Sequence, residues 1–125
     1  MNGYVLDTSF LSAFYNTKDV NHKEALEISK NIDVGNLLIP IIVIAELANF
    51  KQNEKFRRLL LKEAMNIASG IPSLDENDLE EYLPFIENLP NNMTAIDSMI
   101  LFLSVKYNAV LVSFDKKMMK IAKNI

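Results

Sequence analysis

Apolar runs broken by polar residues predict short strands separated by helices. Tyr4-Val5-Leu6 is an apolar run that stops at an acid and reads as a buried strand. Thr8 to Tyr15 follows as a first helix, with Asp7 or Thr8 placed to cap it. Lys18 to Asn21 is polar and turn-like. From His22 the apolar residues Ala25, Ile28 and Ile32 recur at helical spacing, and Gly35-Asn36 supplies the stop. Leu37-Leu38-Ile39 reads as a second strand, bounded by Pro40. Ile41 to Phe50 carries two signals: Ile41-Ile42-Val43-Ile44 favours a strand by propensity, whereas Ala45-Glu46-Leu47-Ala48 is helical. A helix from about Ile42 to Phe50 is the expectation.

A long helix is predicted over Phe56 to Ile67, with Phe56, Leu59, Leu60, Ala64 and Ile67 on one stripe. Ser73-x-x-Glu76 has the form of a capping box opening a helix to about Asn88, which Pro84 bends or breaks. After a loop at Leu89 to Asn92, Thr94 to Tyr107 is the most helical segment, and Asn108 can end it in the left-handed conformation. Ala109 to Ser113 is the clearest strand. Asp115 then caps a last helix containing Met118, Met119 and Ala122. Strands alternating with helices indicate an α/β sandwich with a mostly parallel sheet.

In such sheets ligands bind beyond the carboxyl ends of the strands. Asp7 lies just past the first strand and Asp115 just past the last. Asp97 lies at the start of the helix that leads back into the last strand, and Glu46 about one turn into the helix after the second. All four acids therefore converge on one rim. Asp7 and Asp115 would also serve as helix N-caps, and Thr94-x-x-Asp97 as a variant capping box. Glu46 has no capping position available. Two carboxylates about 4 Å apart repel by roughly 4 kcal/mol at an effective dielectric near 20, so such a rim suggests a cage for a divalent cation.

Composition narrows that ion. The 125 residues contain no Cys and one His, His22, which excludes a thiolate or multi-histidine site, a disulfide framework and a thiol nucleophile. An all-oxygen donor set suits Mg²⁺ or Mn²⁺. Such ions ionise a bound water and stabilise charge on a phosphodiester. Half the residues are hydrophobic and 23% are charged, a globular balance. No signal peptide or membrane-spanning run is evident, so a soluble cytoplasmic protein is expected. Net charge is −3, but basic residues cluster: Lys51, Lys55, Arg57, Arg58 and Lys62 in one segment, and Lys116, Lys117, Lys120 and Lys123 in the tail. Such patches can hold a phosphate backbone locally or be solvated helix faces. His22 is expected to be exposed at the start of its helix, and Phe10 and Phe14 to pack in the core.

These residues carry a family resemblance. Val5-Leu6-Asp7-Thr8-Ser9, Pro40-x-x-Val43-x-x-Glu46-Leu47, Asp97-Ser98-Met99-Ile100 and Leu111-Val112-Ser113-Phe114-Asp115 occur in order. Together the chain resembles the PIN-domain ribonuclease family, in particular the toxin subunits of bacterial and archaeal VapBC toxin–antitoxin modules. The resemblance implies one nuclease domain over residues 1–125, a three-layer α/β/α sandwich, and Mg²⁺- or Mn²⁺-dependent RNA cleavage. Asp7 and Asp97 would be direct metal ligands, and Glu46 and Asp115 would complete the catalytic cluster. Ser9 and Ser113 would be supporting donors. It further implies a homodimer and a cognate antitoxin, with Met118-Met119 as a surface for either, and makes Lys51, Lys55, Arg57, Arg58, Lys116 and Lys117 candidates for RNA-backbone contact. Two departures stand out. Family members continue past the last helix into a final strand, where this chain stops at Ile125, and Ser98 replaces a small apolar residue. The alternatives are a catalytically silent PIN-like module that binds RNA or protein, and a phosphatase with an Asp7 nucleophile. The phosphatase is disfavoured because Ser9 stands where a second acid is needed.

Overall fold

The computed structural model describes residues 3–50 and 53–125. Its sheet is three-stranded and parallel in the order β2-β1-β3, with β1 (Tyr4–Leu6) between β2 (Leu37–Leu38) and β3 (Val110–Val112). Tyr4 aligns with Leu37 on one side and Val110 on the other. Val5 and Leu6 are fully buried, which is why the central strand is an unbroken apolar run rather than an alternating one. The strand enters through Gly3, whose φ of +138° and 2.6 Å approach of an added Cβ to the Asn36 carbonyl leave room only for glycine. A bridge between Leu38 and Gly70 extends the pairing beyond β2.

The helices are α1 (Thr8–Tyr15), α2 (His22–Ser29), α3 (Ile41–Ala48), α4 (Glu54–Ile67), α5 (Leu79–Glu87), α6 (Ala95–Lys106) and α7 (Lys116–Lys123). They complete an α/β/α sandwich: α6 packs on β1 and β3, α7 packs on β3, and α5 packs on α6. The core joins Val5, Leu6, Leu11, Val43, Leu47, Leu60, Ile100 and Leu101. Phe10 stacks between Phe14 and Phe114, with ring centroids 6.0 and 6.1 Å away, so these rings are core as expected. No described helix is long and apolar enough to cross a membrane.

Several boundaries differ from expectation. α2 ends at Ser29, well before Gly35, because Asp33 caps a separate 3-10 turn at Val34–Asn36 through the Gly35 N–H. The ambiguous segment is helical from Ile41, as α3 leaves Pro40 with Val43 and Leu47 fully buried; tertiary burial overrides the β-branched propensity. The capping box lies two residues later than Ser73-x-x-Glu76, since Asp75 and Asp78 bond reciprocally to each other's backbone N–H. Pro84 sits inside α5 without ending it. Asn108 is left-handed (φ 50°), as expected. His22 is half-buried rather than exposed: its Nδ1 lies 2.8 Å from the Ala13 carbonyl and donates to it, joining α2 to α1. Ser98 is buried because its hydroxyl donates to the Ala95 carbonyl and accepts from the Tyr82 hydroxyl at 2.7 Å, docking α5 on α6.

The same docking carries one ion pair. Lys106 Nζ lies 2.5 Å from Asp78 Oδ1. The hydrogen bond from Lys106 holds the Asp78 carboxyl below the usual carboxylate range and, reciprocally, raises the Lys106 ammonium. A depressed carboxylate stabilises the fold above its unfolded pKa and loses that contribution as pH falls through the folded value. Asp78→Asn should therefore lower the melting temperature at neutral pH, and the gap from wild type should close as pH is taken below the carboxylate range.

Candidate metal centre

β1 and β3 end side by side, and the chain turns from each into a helix. The Asp7 N–H donates to the Val112 carbonyl at 3.1 Å, carrying the ladder one residue past β1. That bond fixes the Asp7 side chain, only 6% exposed, at the carboxyl edge of the sheet. Its Oδ1 accepts the Thr8 N–H at 2.7 Å. Its Oδ2 accepts two hydroxyls, Ser113 at 2.6 Å and Ser9 at 3.0 Å. Those serines are themselves oriented by backbone, since Ser9 Oγ accepts the Phe114 N–H at 2.9 Å and Ser113 Oγ the Asp115 N–H at 3.0 Å.

The other acids reach the same space from three helices. Glu46, on α3, accepts the Thr8 hydroxyl on Oε1 at 2.5 Å. Asp97, in the first turn of α6, gives its N–H to Thr94 Oγ1 at 3.1 Å. Asp115 caps α7 by accepting the Met118 N–H on Oδ1 at 3.0 Å. Asp7, Glu46, Asp97 and Asp115 all line one polar pocket of about 340 Å³. Asp7 and Asp115 therefore both cap helices and face the pocket. Glu46, with no cap to make, is held only by a side chain.

Electrostatics mark the pocket as short of positive charge. Burial raises the Glu46 carboxyl above its ordinary value, with Asp7 and Asp97 adding to the rise and the Thr8 hydroxyl opposing it. Burial likewise raises Asp97, helped by Asp115 and Asp7 and opposed by Thr94 and Lys117. The donor set is all oxygen, which fits a hard divalent cation. Among the described residues, however, no three acids are gathered tightly enough to hold one ion as they stand. The cage expected from sequence is thus an open one, because Asp7 and Glu46 are turned toward hydroxyls and mutual repulsion favours separation.

Thr8 was not singled out as a site residue, although the run Asp7-Thr8-Ser9 places hydroxyls on both sides of the first helix turn. Asp19, Asn21 and Phe50 also line the pocket; they come from connections whose path sequence spacing does not reveal. Of the described basic candidates, Lys117 lowers the Asp97 carboxyl by its charge, and its ammonium donates to the Asn92 carbonyl at 3.0 Å. Arg57 donates to the Ala48 carbonyl at 3.3 Å, and Arg58 pairs with Glu54 at 2.7 Å. Lys55 and Lys116 are exposed, and Lys51 lies outside the described residues.

A family model of the PIN domain matches residues 4–124. No curated protein matches by sequence. Among solved structures, VapC20 from Mycobacterium tuberculosis, described as a Sarcin-Ricin loop cleaving toxin, is similar at a TM-score of 0.75 and 15% identity, covering 94% of each chain. FitAcB from Neisseria gonorrhoeae follows at 0.72 and 14%, covering 96% of this chain and 93% of that one. VapBC2 from Rickettsia felis, bound to a DNA fragment from their promoter, gives 0.67 and 20%, with 94% and 92% covered.

Two outcomes test the electrostatics. A carboxyl whose folded pKa is raised favours folding below the unfolded pKa and weakens it as pH rises through the folded value, so the penalty is full at neutral pH. Without divalent ions, Asp97→Asn should melt higher than wild type at neutral pH, with no difference in acid. Asp115→Ala should cost about 1 kcal/mol through the lost cap, whereas Asp115→Asn should keep most of it; urea unfolding measures both.

Proposed function

The chain belongs to the PIN domain family, and we propose that it is a divalent-metal-dependent endoribonuclease, the toxin of a toxin–antitoxin pair. The observation that carries this reading is the convergence of Asp7, Glu46, Asp97 and Asp115 from four separate elements on one pocket. Asp7 and Asp97 would hold Mg²⁺ or Mn²⁺, with Glu46 and Asp115 completing the set. When bound, such an ion lowers the pKa of water and neutralises charge on the phosphodiester.

The protein's own groups do the rest. Ser9 and Ser113 hold Asp7 in one rotamer by donating to the same carboxylate oxygen. Thr8 orients Glu46 by donating its hydroxyl to Oε1. With its carboxyl raised by burial, Glu46 is suited to take the proton of the attacking water as its oxygen bonds to phosphorus. The leaving ribose oxygen is protonated from solvent. Lys116 and Lys117, at the start of α7 beside Asp115, lie where they can screen the RNA backbone. VapBC2 and FitAcB support an antitoxin partner for this chain, and a homodimer is part of the same reading.

A second reading, a silent module that binds RNA or protein, is favoured by one observation: the acids do not converge on a point. Turnover separates the two. Purified protein should cleave RNA with Mg²⁺ or Mn²⁺ and not with chelator present. Asp7→Asn and Asp97→Asn should lose more activity than the roughly 10–100-fold expected for removing a supporting hydroxyl by Ser113→Ala. Undiminished cleavage by the Asp variants would point to a contaminating nuclease. RNA retention without metal-dependent turnover would select the silent module. In a melting scan, Mn²⁺ at about 100 times its dissociation constant should add about 2.7 kcal/mol to wild type and much less to Asp7→Asn.

A further inference from the structure

The acidic pocket opens onto a second cavity. Bounded by the α1–α2 connection and the start of α4, it measures about 470 Å³, within the roughly 300–1,000 Å³ of ligand sites. Ser12, Asp19 and Phe50 line both spaces, so the two are contiguous, with those side chains at the junction.

The second cavity is rich in one kind of hydrogen-bonding group. Asn16 turns Oδ1 to the Lys18 N–H at 3.0 Å, and Asn53 turns Oδ1 to the Phe56 N–H at 3.1 Å. Each amide is thereby oriented by backbone, and neither Nδ2 amino group has a partner among the described residues. The Lys18 ammonium makes no ion pair among the described residues. Phe50, half-buried at the junction, meets Phe56 edge to face at 6.4 Å.

These features select a ligand. Oriented donors call for acceptors, a base seated here would lie against the Phe50 ring that lines both cavities, and the Lys18 ammonium, unpaired among the described residues, suits phosphate. An unstacked nucleotide presents all three. The bases differ in what they offer: guanine shows two adjacent acceptors, N7 and O6, whereas adenine pairs N7 with an amino donor. An amino group against the Asn16 and Asn53 amides would set donor against donor. Asp19 gives Oδ1 to the Asn21 N–H at 2.8 Å, so its Oδ2 is the oxygen to accept from the ring and amino N–H groups that guanine alone combines with those acceptors.

We infer that this cavity is the subsite for an unpaired guanine flanking the phosphodiester at the acidic pocket, stacked on Phe50 and read by Asn16 and Asn53. The inference rests on the ribonuclease reading above and names its substrate: single-stranded RNA with guanine beside the cut.

Binding of short single-stranded oligoribonucleotides that differ at one base, followed by fluorescence anisotropy on Asp97→Asn protein, reads recognition without turnover. The guanine oligonucleotide should bind about tenfold tighter than its adenine counterpart. Asn16→Asp and Asn53→Asp each keep the oxygen that the backbone N–H requires and replace the amino donor with an acceptor. The added charge lowers affinity for every sequence, so the ratio between bases is the readout, and each substitution should abolish the guanine preference while leaving the melting temperature within a few degrees of the parent. Phe50→Ala should weaken all bases alike, by about tenfold or more. Equal binding of the four bases, or a guanine preference that survives both Asn substitutions, overturns the subsite. Mapping cut sites with the wild-type protein and Mn²⁺ separates the two levels. Metal-dependent cleavage without base preference retains the nuclease and discards the subsite. Absence of cleavage with the guanine preference intact discards the nuclease and retains the nucleotide site.

Discussion

The carboxylate of Asp7, held where β1 and β3 end, is the interaction on which the rest of the rim depends. Its N–H extends the parallel ladder to Val112, and its Oδ2 receives the Ser9 and Ser113 hydroxyls. The serines in turn receive the Phe114 and Asp115 N–H groups. A buried carboxylate is tolerable only when hydrogen-bonded, and here the bonds that satisfy it also set the exit path of the chain from β3 into α7. Removing the charge or either hydroxyl would loosen the connection that places Asp115, so the position of one acid determines that of another.

The rim contrasts with the protein's other buried acid. Asp78 is matched by Lys106, which lowers its pKa and docks α5 on α6. Glu46 and Asp97 have hydroxyls for company, together with more acids, and their pKa values move up. The same physics gives opposite signs because one site is neutralised within the fold and the other is not. An accumulation of uncompensated carboxylates weakens a small domain, and a bound cation would reverse that cost. This is the energetic sense in which the pocket suits a divalent ion even though its acids stand apart.

Position along the sheet edge also determines what adjoins the acids. Ser12 on α1, Asp19 in the α1–α2 connection and Phe50 just past α3 form the wall shared by the two cavities. Loops that leave this edge are where an α/β fold is free to vary without disturbing its core.

By itself the sequence determined the order of elements, the parallel sheet, and the place of Asp7, Asp97 and Asp115 at strand and helix ends, with Glu46 inside its helix. These depend on local rules: apolar run length, helical period, capping chemistry and strand-to-helix alternation. Its errors were also local, where two capping options competed, as at Asp75 against Ser73, or where Asp33 offered a turn that ended α2 early. Only tertiary structure decided that Glu46 answers to Thr8, that His22 bonds the Ala13 carbonyl, that Ser98 meets Tyr82, and that Asn16, Phe50 and Asn53 share a cavity. Those pairings join residues far apart in the chain through side chains with no periodic signature. Whether carboxylates converge on a point or merely share a pocket depends on ångström-scale rotamer choices that repulsion and hydroxyl bonds settle together, and no spacing of letters encodes that balance.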